Sequence, residues 1–311
     1  MTNGLIITFY KFIKLKELRN LRIKLLNKLE TLGIKGTILI AEEGINGMLS
    51  GKKDVIKIFQ AYITEIEEFV DLEFKENHFN DKAFSRTLVK IKKEIITLRR
   101  DVDPTKETGK YITALEFKKR LDNPNKDFLI LDTRNDYEVA MGSFKNAINP
   151  NIKSFEEFAL YIDKNAKLFK DKEVITYCTG GIRCEKATAY MKQKGISKAY
   201  QLEGGIIKYF EKTKENTDSN HWHGECTVFD RRKAITSKLE ASDKTICYVC
   251  LQEINGQNED FEKNKNQKLC LNCYEKIEFH KKKRQKQGEI KAKLNYEKRK
   301  LTLEQYKKIK T

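Results

Sequence analysis

No stretch of about 18 consecutive apolar residues occurs in this 311-residue chain, so no segment is expected to span a bilayer. A secretory leader is not expected either. The opening MTNGLIITFYKFIKLKEL begins as a strand-like run, without the basic start, apolar core and small-residue cleavage site of such a leader. Support for disulfides is equally thin. The seven cysteines are an odd number, and without a leader they suggest a reducing cytosol, where spaced cysteines more often bind metal or do chemistry. Proline is scarce, at three residues, and no internal repeat is visible. Acidic residues are in deficit, 45 against 62 basic ones, for a net charge of +17. The tail 281–311 holds 13 basic and 3 acidic residues, a large share of that excess. Such asymmetry points to a polyanion partner, nucleic acid first; a lysine-rich genome bias with a solvated tail is the plainer alternative.

What is present separates into α+β and α/β regions. Residues 1–100 read as strand (5–12), helix (16–33), hairpin (36–51), helix (53–67) and two strands (69–77 and 84–96). Leu18, Leu21, Leu25, Leu26 and Leu29 give the first helix its stripe, and Gly44 marks the hairpin turn. That β-α-β-β-α-β order predicts a ferredoxin-like, acylphosphatase-like domain. Arg and Asn positions of acylphosphatase chemistry are not evident in it, so it is expected to bind or orient. Residues 101–112, with Pro104 and Gly109, read as a linker. Residues 113–219 alternate helices (113–122, 154–166, 184–195) with continuous apolar strands (127–134, 173–178) and end in 198–212, the pattern of a parallel α/β layer. Thr113 with Glu116 forms a capping-box pattern. A cysteine-rich segment (220–279) and a basic tail (280–311), read as a solvated helix, complete the chain.

The stretch 177-YCTGGIRCEKATAYM-191 carries the densest chemistry. Cys178 ends an apolar strand. The amides of Thr179 through Cys184 are expected to turn inward as an anion-binding nest, with Gly180 and Gly181 permitting the curvature. A helix beginning near Cys184 aims its positive end at the loop. Together with Arg183 these features favour a Cys178 thiolate. A buried structural cysteine at a strand end is the plainer alternative. Cys184, six residues on, reads either as a resolving thiol or as a small packing residue. Asp132 and Arg134 end their strand on the same edge as Cys178. They read either as orienting the loop, with Arg134 able to contact an anion, or as an ion pair with a helix neighbour.

These residues carry a resemblance. Cys178 to Arg183 resembles the six-residue active-site loop of rhodanese-like domains, and 129-LILDTRNDYEVAMGSFKNAIN-149 resembles their Asp-x-Arg strand and following turn. In such domains the loop cysteine carries a persulfide. A tyrosine-phosphatase loop needs five residues between Cys and Arg; the four here, Thr-Gly-Gly-Ile, make a cradle better sized for sulfur than for phosphate. With 41-AEEGING-47 and 222-WHGECTVFDRR-232, the loop is similar to the bacterial oxygen-dependent tRNA uridine(34) hydroxylase family over roughly residues 1–275. The resemblance implies a cytoplasmic tRNA-modification enzyme that forms 5-hydroxyuridine at the wobble position of the anticodon loop. It implies molecular oxygen as co-substrate and Cys178 as the essential residue. No organic cofactor is evident.

Uracil C5 is a poor nucleophile unaided. A thiolate adding to C6 would make C5 enolate-like and reactive toward an oxygen species, with Arg183 and the loop amides holding the developing anion. Cys178 acts in this way or first becomes a persulfide or sulfenate. The alternative reading is a rhodanese-type sulfurtransferase working through a Cys178 persulfide; a third is a non-enzymatic RNA-binding or sulfur-carrier module.

Two further cysteine groups stand out. Cys247-x2-Cys250, 19 residues, then Cys270-x2-Cys273 has the spacing of a four-thiolate zinc site, structural because four cysteines leave no open position. The intervening polar segment would draw its folding energy from the metal. His221, His223 and Cys226 also have metal-compatible spacing but lack an evident carboxylate partner. Trp222 and Cys226 are alternatively candidates to line a substrate pocket.

Overall fold

Alternation in the first strand decides the architecture. In β1 (Gly4–Phe12) Leu5, Ile7 and Phe9 turn into one apolar core, leaving Thr8, Tyr10 and Phe12 on the other face. The computed structural model describes residues 4–78, 83–123, 127–213, 221–247, 249–250, 253–254, 269–279, 281–283, 285–287 and 289. These fall into two units, Met1–Ser242 and Asp243–Thr311.

The first unit opens with β1, α1 (Leu18–Thr31), β2 (Lys35–Ala41), β3 (Gly44–Lys52), α2 (Lys53–Thr64), β4 (Lys75–His78) and β5 (Thr87–Ile91). The sheet runs β4-β1-β3-β2-β5, antiparallel throughout except for β5, which lies parallel to β2. The first four strands have the expected ferredoxin-like order, and β5 extends it. Leu25 and Leu29 of α1 and Ile56, Phe59 and Ile63 of α2 cover one face. Gly47 is required by packing: a Cβ there would stand 2.2 Å from the Phe9 ring.

Two expected strands are shorter than the sequence suggested. In 69–77, Phe69 and Leu72 are both buried three residues apart, which suits a turn rather than alternation. A 3-10 turn (Glu67–Phe69) therefore precedes a strand of only four residues. In 84–96 only Thr87–Ile91 pairs. Beyond it side chains take over the backbone's hydrogen bonds: Glu43 accepts from Ile95 N–H at 2.6 Å, and Asn46 donates to Ile95 C=O at 3.1 Å.

The second sheet contains β6 (Lys110–Ile112), β7 (Phe128–Asp132), β9 (Glu173–Tyr177) and β10 (Ala199–Leu202), all parallel in the order β6-β10-β9-β7. Lys110–Ile112, read as part of a linker, is thus an edge strand. Helices α3 (Ala114–Asp122) and α7 (Gly205–Thr213) bury one face; α5 (Glu156–Phe169) and α6 (Ile182–Gln193) bury the other. The Thr113–Glu116 capping box is formed. Within 113–219 two elements escaped the sequence reading, α4 (Asp136–Met141) and β8 (Gly142–Phe144).

Residues 221–242, grouped with the cysteine-rich segment, belong to this first unit. Here β11 (Trp222–Gly224) pairs with β8, and β12 (Cys226–Thr227) with β13 (Ala234–Ile235). Phe144 anchors the β8–β11 pair. Phe117, Tyr177, Tyr209 and Trp222 meet its ring nearly edge-on at 4.9–5.1 Å, contacts worth about 0.5–1.5 kcal/mol each beyond area burial.

The two sheets are joined by a charge cluster. Lys186 of α6, 1% exposed, reaches Glu43 of the β2–β3 turn at 2.7 Å and Glu94 after β5 at 2.6 Å. In the second unit, a helix over 271–279 follows Cys270, and Leu269, Ile254, Tyr274 and Ile277 gather around the four cysteines. The tail expected at 280–311 lies almost wholly outside the described residues.

Lys186→Met leaves two carboxylates facing each other without their cation. Breaking a fully buried pair costs about 3–5 kcal/mol; both glutamates keep some solvent, so a loss of about 2 kcal/mol is expected here. The check is the urea midpoint of the full chain, and an unchanged midpoint contradicts the clamp.

Candidate active site

Strand β9 delivers Cys178 to the carboxyl edge of the parallel sheet, where Asp132 ends β7 beside it. Thr179, Gly180 and Gly181 then turn the chain into α6. The expected helix start near Cys184 is corrected to Ile182, which puts Arg183 in the first turn rather than in the loop. The two glycines differ. Gly181 caps the helix at φ +100°, and a Cβ there would lie 2.8 Å from the Tyr10 hydroxyl. Gly180 does not have a left-handed backbone, and a Cβ would meet only the Lys75 ammonium at 3.9 Å. The curvature therefore depends on Gly181. The Cys178 and Thr179 carbonyls accept from Ile206 and Ile207 N–H at 3.0 and 3.1 Å, fastening the loop to α7.

Of the amides expected to face inward, Gly181 N–H donates to Cys178 Sγ at 3.1 Å and Arg183 N–H also reaches it. Cys184 N–H instead closes a helical bond to Gly181 C=O at 3.0 Å. Burial alone would raise the Cys178 pKa. The Cys184 thiol hydrogen bond, the Arg183 guanidinium and the two amides outweigh it and hold Cys178 well below an ordinary thiol. Cys184 goes the opposite way: burial and the neighbouring Cys178 hold it protonated. Fully buried, with the Thr133 hydroxyl 3.7 Å away, it is a hydrogen-bonded neighbour of Cys178.

Arg183 does not face an open anion site. Its two terminal nitrogens donate to Glu138 of α4 at 2.6 and 2.8 Å, a buried fork that leaves little net charge. Glu138 also accepts from the Thr179 hydroxyl at 3.4 Å. Arg134 offers no anion contact either. Fully buried, it forks onto Asp132 at 2.7–3.2 Å and lies against the Tyr177 and Trp222 rings, 5.5 and 5.2 Å from their centroids. Its remaining donors reach the carbonyls of Gly142 (2.7 Å) and Glu138 (3.3 Å). Asp132 and Arg134 thus hold α4, α4 presents Glu138, and Glu138 holds Arg183 over the loop.

Cys178 is 1% exposed, yet it lines a cleft of about 1230 Å³ between the two sheets. The uncovered face of the first sheet supplies Thr8, Tyr10, Phe12 and Lys75; the second domain supplies Tyr137 and Phe155. Trp222 and Cys226, read as candidate pocket residues, are absent from its walls. Trp222 belongs to the aromatic cluster, and Cys226 is buried, its thiol pushed up to about 12 by desolvation. His221 bonds Asp122 at 2.5 Å, and among the described residues no metal group includes His221, His223 or Cys226.

Glu138, Tyr10 and Lys75 escaped the sequence reading. Asn135-x-x-Glu138 carries a capping-box spacing that marks α4. Alternation in β1 marks Tyr10 as facing away from the first core. Lys75 left no signal.

In the second unit, the Sγ atoms of Cys247, Cys250, Cys270 and Cys273 lie within 4.8 Å of one another. Zinc–sulfur bonds of about 2.3 Å in a tetrahedron need sulfurs roughly 3.8 Å apart, so the cluster could hold a metal ion.

Residues 4–95 match the UPF0176 acylphosphatase-like domain family, and residues 113–212 match the rhodanese-like domain family. A tRNA uridine(34) hydroxylase from Legionella pneumophila (strain Paris) is 44% identical over 241 residues, 77% of this chain and 93% of the relative. Its counterpart from strain Lens matches with the same identity and coverage. The chain belongs to the tRNA uridine(34) hydroxylase family. It is also similar to a single-domain sulfurtransferase from Saccharomyces cerevisiae, at 22% identity and a TM-score of 0.30 over 35% of this chain and 95% of that one. In this member of the tRNA uridine(34) hydroxylase family, the cleft draws walls from both matched domains: Tyr10 and Lys75 from the first, Cys178 and Arg183 from the second.

The depressed Cys178 pKa fixes a sign. Its contribution to stability is fully present above the ordinary thiol value, 9.0, and is lost as pH falls through the lowered folded value. Urea unfolding of the wild type and Cys178→Ser at a series of pH values should give a difference that grows as pH rises through that window. A flat or falling difference contradicts an ionised Cys178.

Proposed function

We propose that this chain hydroxylates uridine 34 of tRNA at C5, forming 5-hydroxyuridine with molecular oxygen as co-substrate and Cys178 as nucleophile. The observation that carries this reading is the cleft, with a thiol favoured as thiolate beneath walls from two domains. A plain sulfurtransferase would need no wall from the first domain. Enzymes that modify a base within RNA draw it out of the stack and seat it against aromatic groups; Tyr10, Phe12, Tyr137 and Phe155 offer such surfaces to an unpaired anticodon-loop base.

In the proposed reaction Cys178 Sγ bonds to C6, and the C5=C6 pair moves toward C5 and the C4 oxygen. C5 attacks one oxygen of a peroxide formed from dioxygen by an external two-electron donor; the O–O bond breaks, and the second oxygen leaves as water. Loss of the C5 proton and expulsion of the thiolate then restore the double bond. Gly181 and Arg183 amides and the Cys184 thiol stabilise the sulfur on entry and departure. The Glu138–Arg183 fork keeps the loop in place rather than gripping the base.

Cys247, Cys250, Cys270 and Cys273 would hold one structural zinc ion, which stabilises the fold of its unit. Among the described residues no helix is long and apolar enough to cross a membrane. A tRNA substrate and free cysteines favour the cytoplasm. The basic residues of 281–311 would contact phosphate without reading sequence, so affinity should fall steeply with salt.

Nucleoside mass spectrometry of tRNA from cells lacking the gene should show 5-hydroxyuridine lost, restored by wild type and not by Cys178→Ala; equal rescue by both forms overturns the role. Protein purified without chelator should carry one zinc per chain, and Cys270→Ser should lose it; substoichiometric zinc in the wild type contradicts the four-thiolate site.

A further inference from the structure

The cations around Cys178 are mostly committed elsewhere. Arg183 is forked onto Glu138, Arg134 onto Asp132, and Lys208 pairs with Glu203. Lys75 differs from all three: it makes no ion pair among the described residues. It lies on β4 opposite Thr8, on the face that carries Tyr10, and lines the cleft together with Cys178. Its ammonium donates to the Gly180 carbonyl inside the cysteine loop and sits 5.5 Å from the Tyr10 ring centroid. The loop is therefore touched by a cation from the other domain.

We propose that Lys75 is a positioning residue supplied by the N-terminal domain. Its charge holds Cys178 as thiolate, and its hydrogen bond fixes the Gly180 carbonyl. The reactive loop is then complete only when both domains are docked. Facing Cys178 are Arg183 and Cys184 of α6, with Tyr10 of β1. Facing Lys75 are Cys178, Lys208 and Glu211 of α7, and Glu73 before β4. Desolvation works against the ammonium, and the Cys178 charge is the foremost influence that restores it. The attraction is thus mutual, as linkage requires. Arg183 lowers the Cys178 pKa although it is forked onto Glu138, and Lys75, itself faced by Glu73 and Glu211, acts beside it as a second cation from the other domain. This role concerns the free protein and does not rest on the substrate assigned above.

The test is the pH dependence of Cys178 alkylation by iodoacetamide in the full chain, followed by peptide mass spectrometry. Lys75→Gln keeps a hydrogen-bond donor but removes the charge, and Lys75→Arg keeps the charge. The midpoint should rise by about one pH unit in Lys75→Gln and return close to wild type in Lys75→Arg. A Lys75→Gln midpoint equal to wild type, or Arg and Gln variants shifted alike, overturns the proposal. A second variant reads the same coupling should Lys75→Gln unfold. In Cys178→Ser, Lys75 should lose its proton more readily, and its acetylation at neutral pH, read by mass spectrometry, should quicken several-fold. Unchanged Lys75 reactivity overturns the proposal as well.

Discussion

An ionised sulfur almost out of contact with water persists only if donors surround it. Burial opposes the charge on Cys178, and the Cys184 thiol, the Arg183 guanidinium and two backbone amides together win. This requirement fixes much of the local architecture. Gly181 must bend so that its N–H can point at the sulfur, and Tyr10 leaves no room there for a side chain. Cys184 must stay protonated, which its own burial ensures. Arg183 must stay near the sulfur without collapsing onto it, and Glu138 holds it on the other side.

Support for that arrangement spreads outward in layers. Asp132 and Arg134 carry no solvent-facing chemistry, yet they grip the backbone of α4 and so aim Glu138. The aromatic cluster around Phe144 backs Arg134 through Trp222 and Tyr177. Across the cleft, Lys186 ties α6, the helix that follows the reactive loop, to Glu43 and Glu94 of the first sheet. The face of that sheet left free of helices then becomes a wall over the thiol. The cleft therefore sets the Cys178 thiol of one domain against the aromatic and cationic surface of the other.

Much of this was legible in the residues. Helical leucine spacing and strand alternation yielded the first domain, because amphipathic periodicity reports which face meets a core. Continuous apolar strands and the Thr113–Glu116 box yielded the second. The Cys178 loop and the four clustered cysteines followed from spacing. The shortfalls have a common cause. Arg183 and Arg134 each read as available cations, but their partners come from folding, and Glu138 belongs to a six-residue helix too short to show a period. Lys75 and Tyr10 approach Cys178 only because two domains dock, a long-range event without a local signature. Strand 84–96 stops early because Glu43 and Asn46, about fifty residues upstream, claim its backbone.

The central claim is that the Cys178 thiolate opens onto a cleft that admits a pyrimidine and adds to its C6. Incubating the full chain with tRNA bearing 5-fluorouridine at position 34, followed by digestion and peptide mass spectrometry, tests it most directly. A nucleotide covalently attached to Cys178 is predicted. Bound tRNA with an unmodified Cys178 would contradict it.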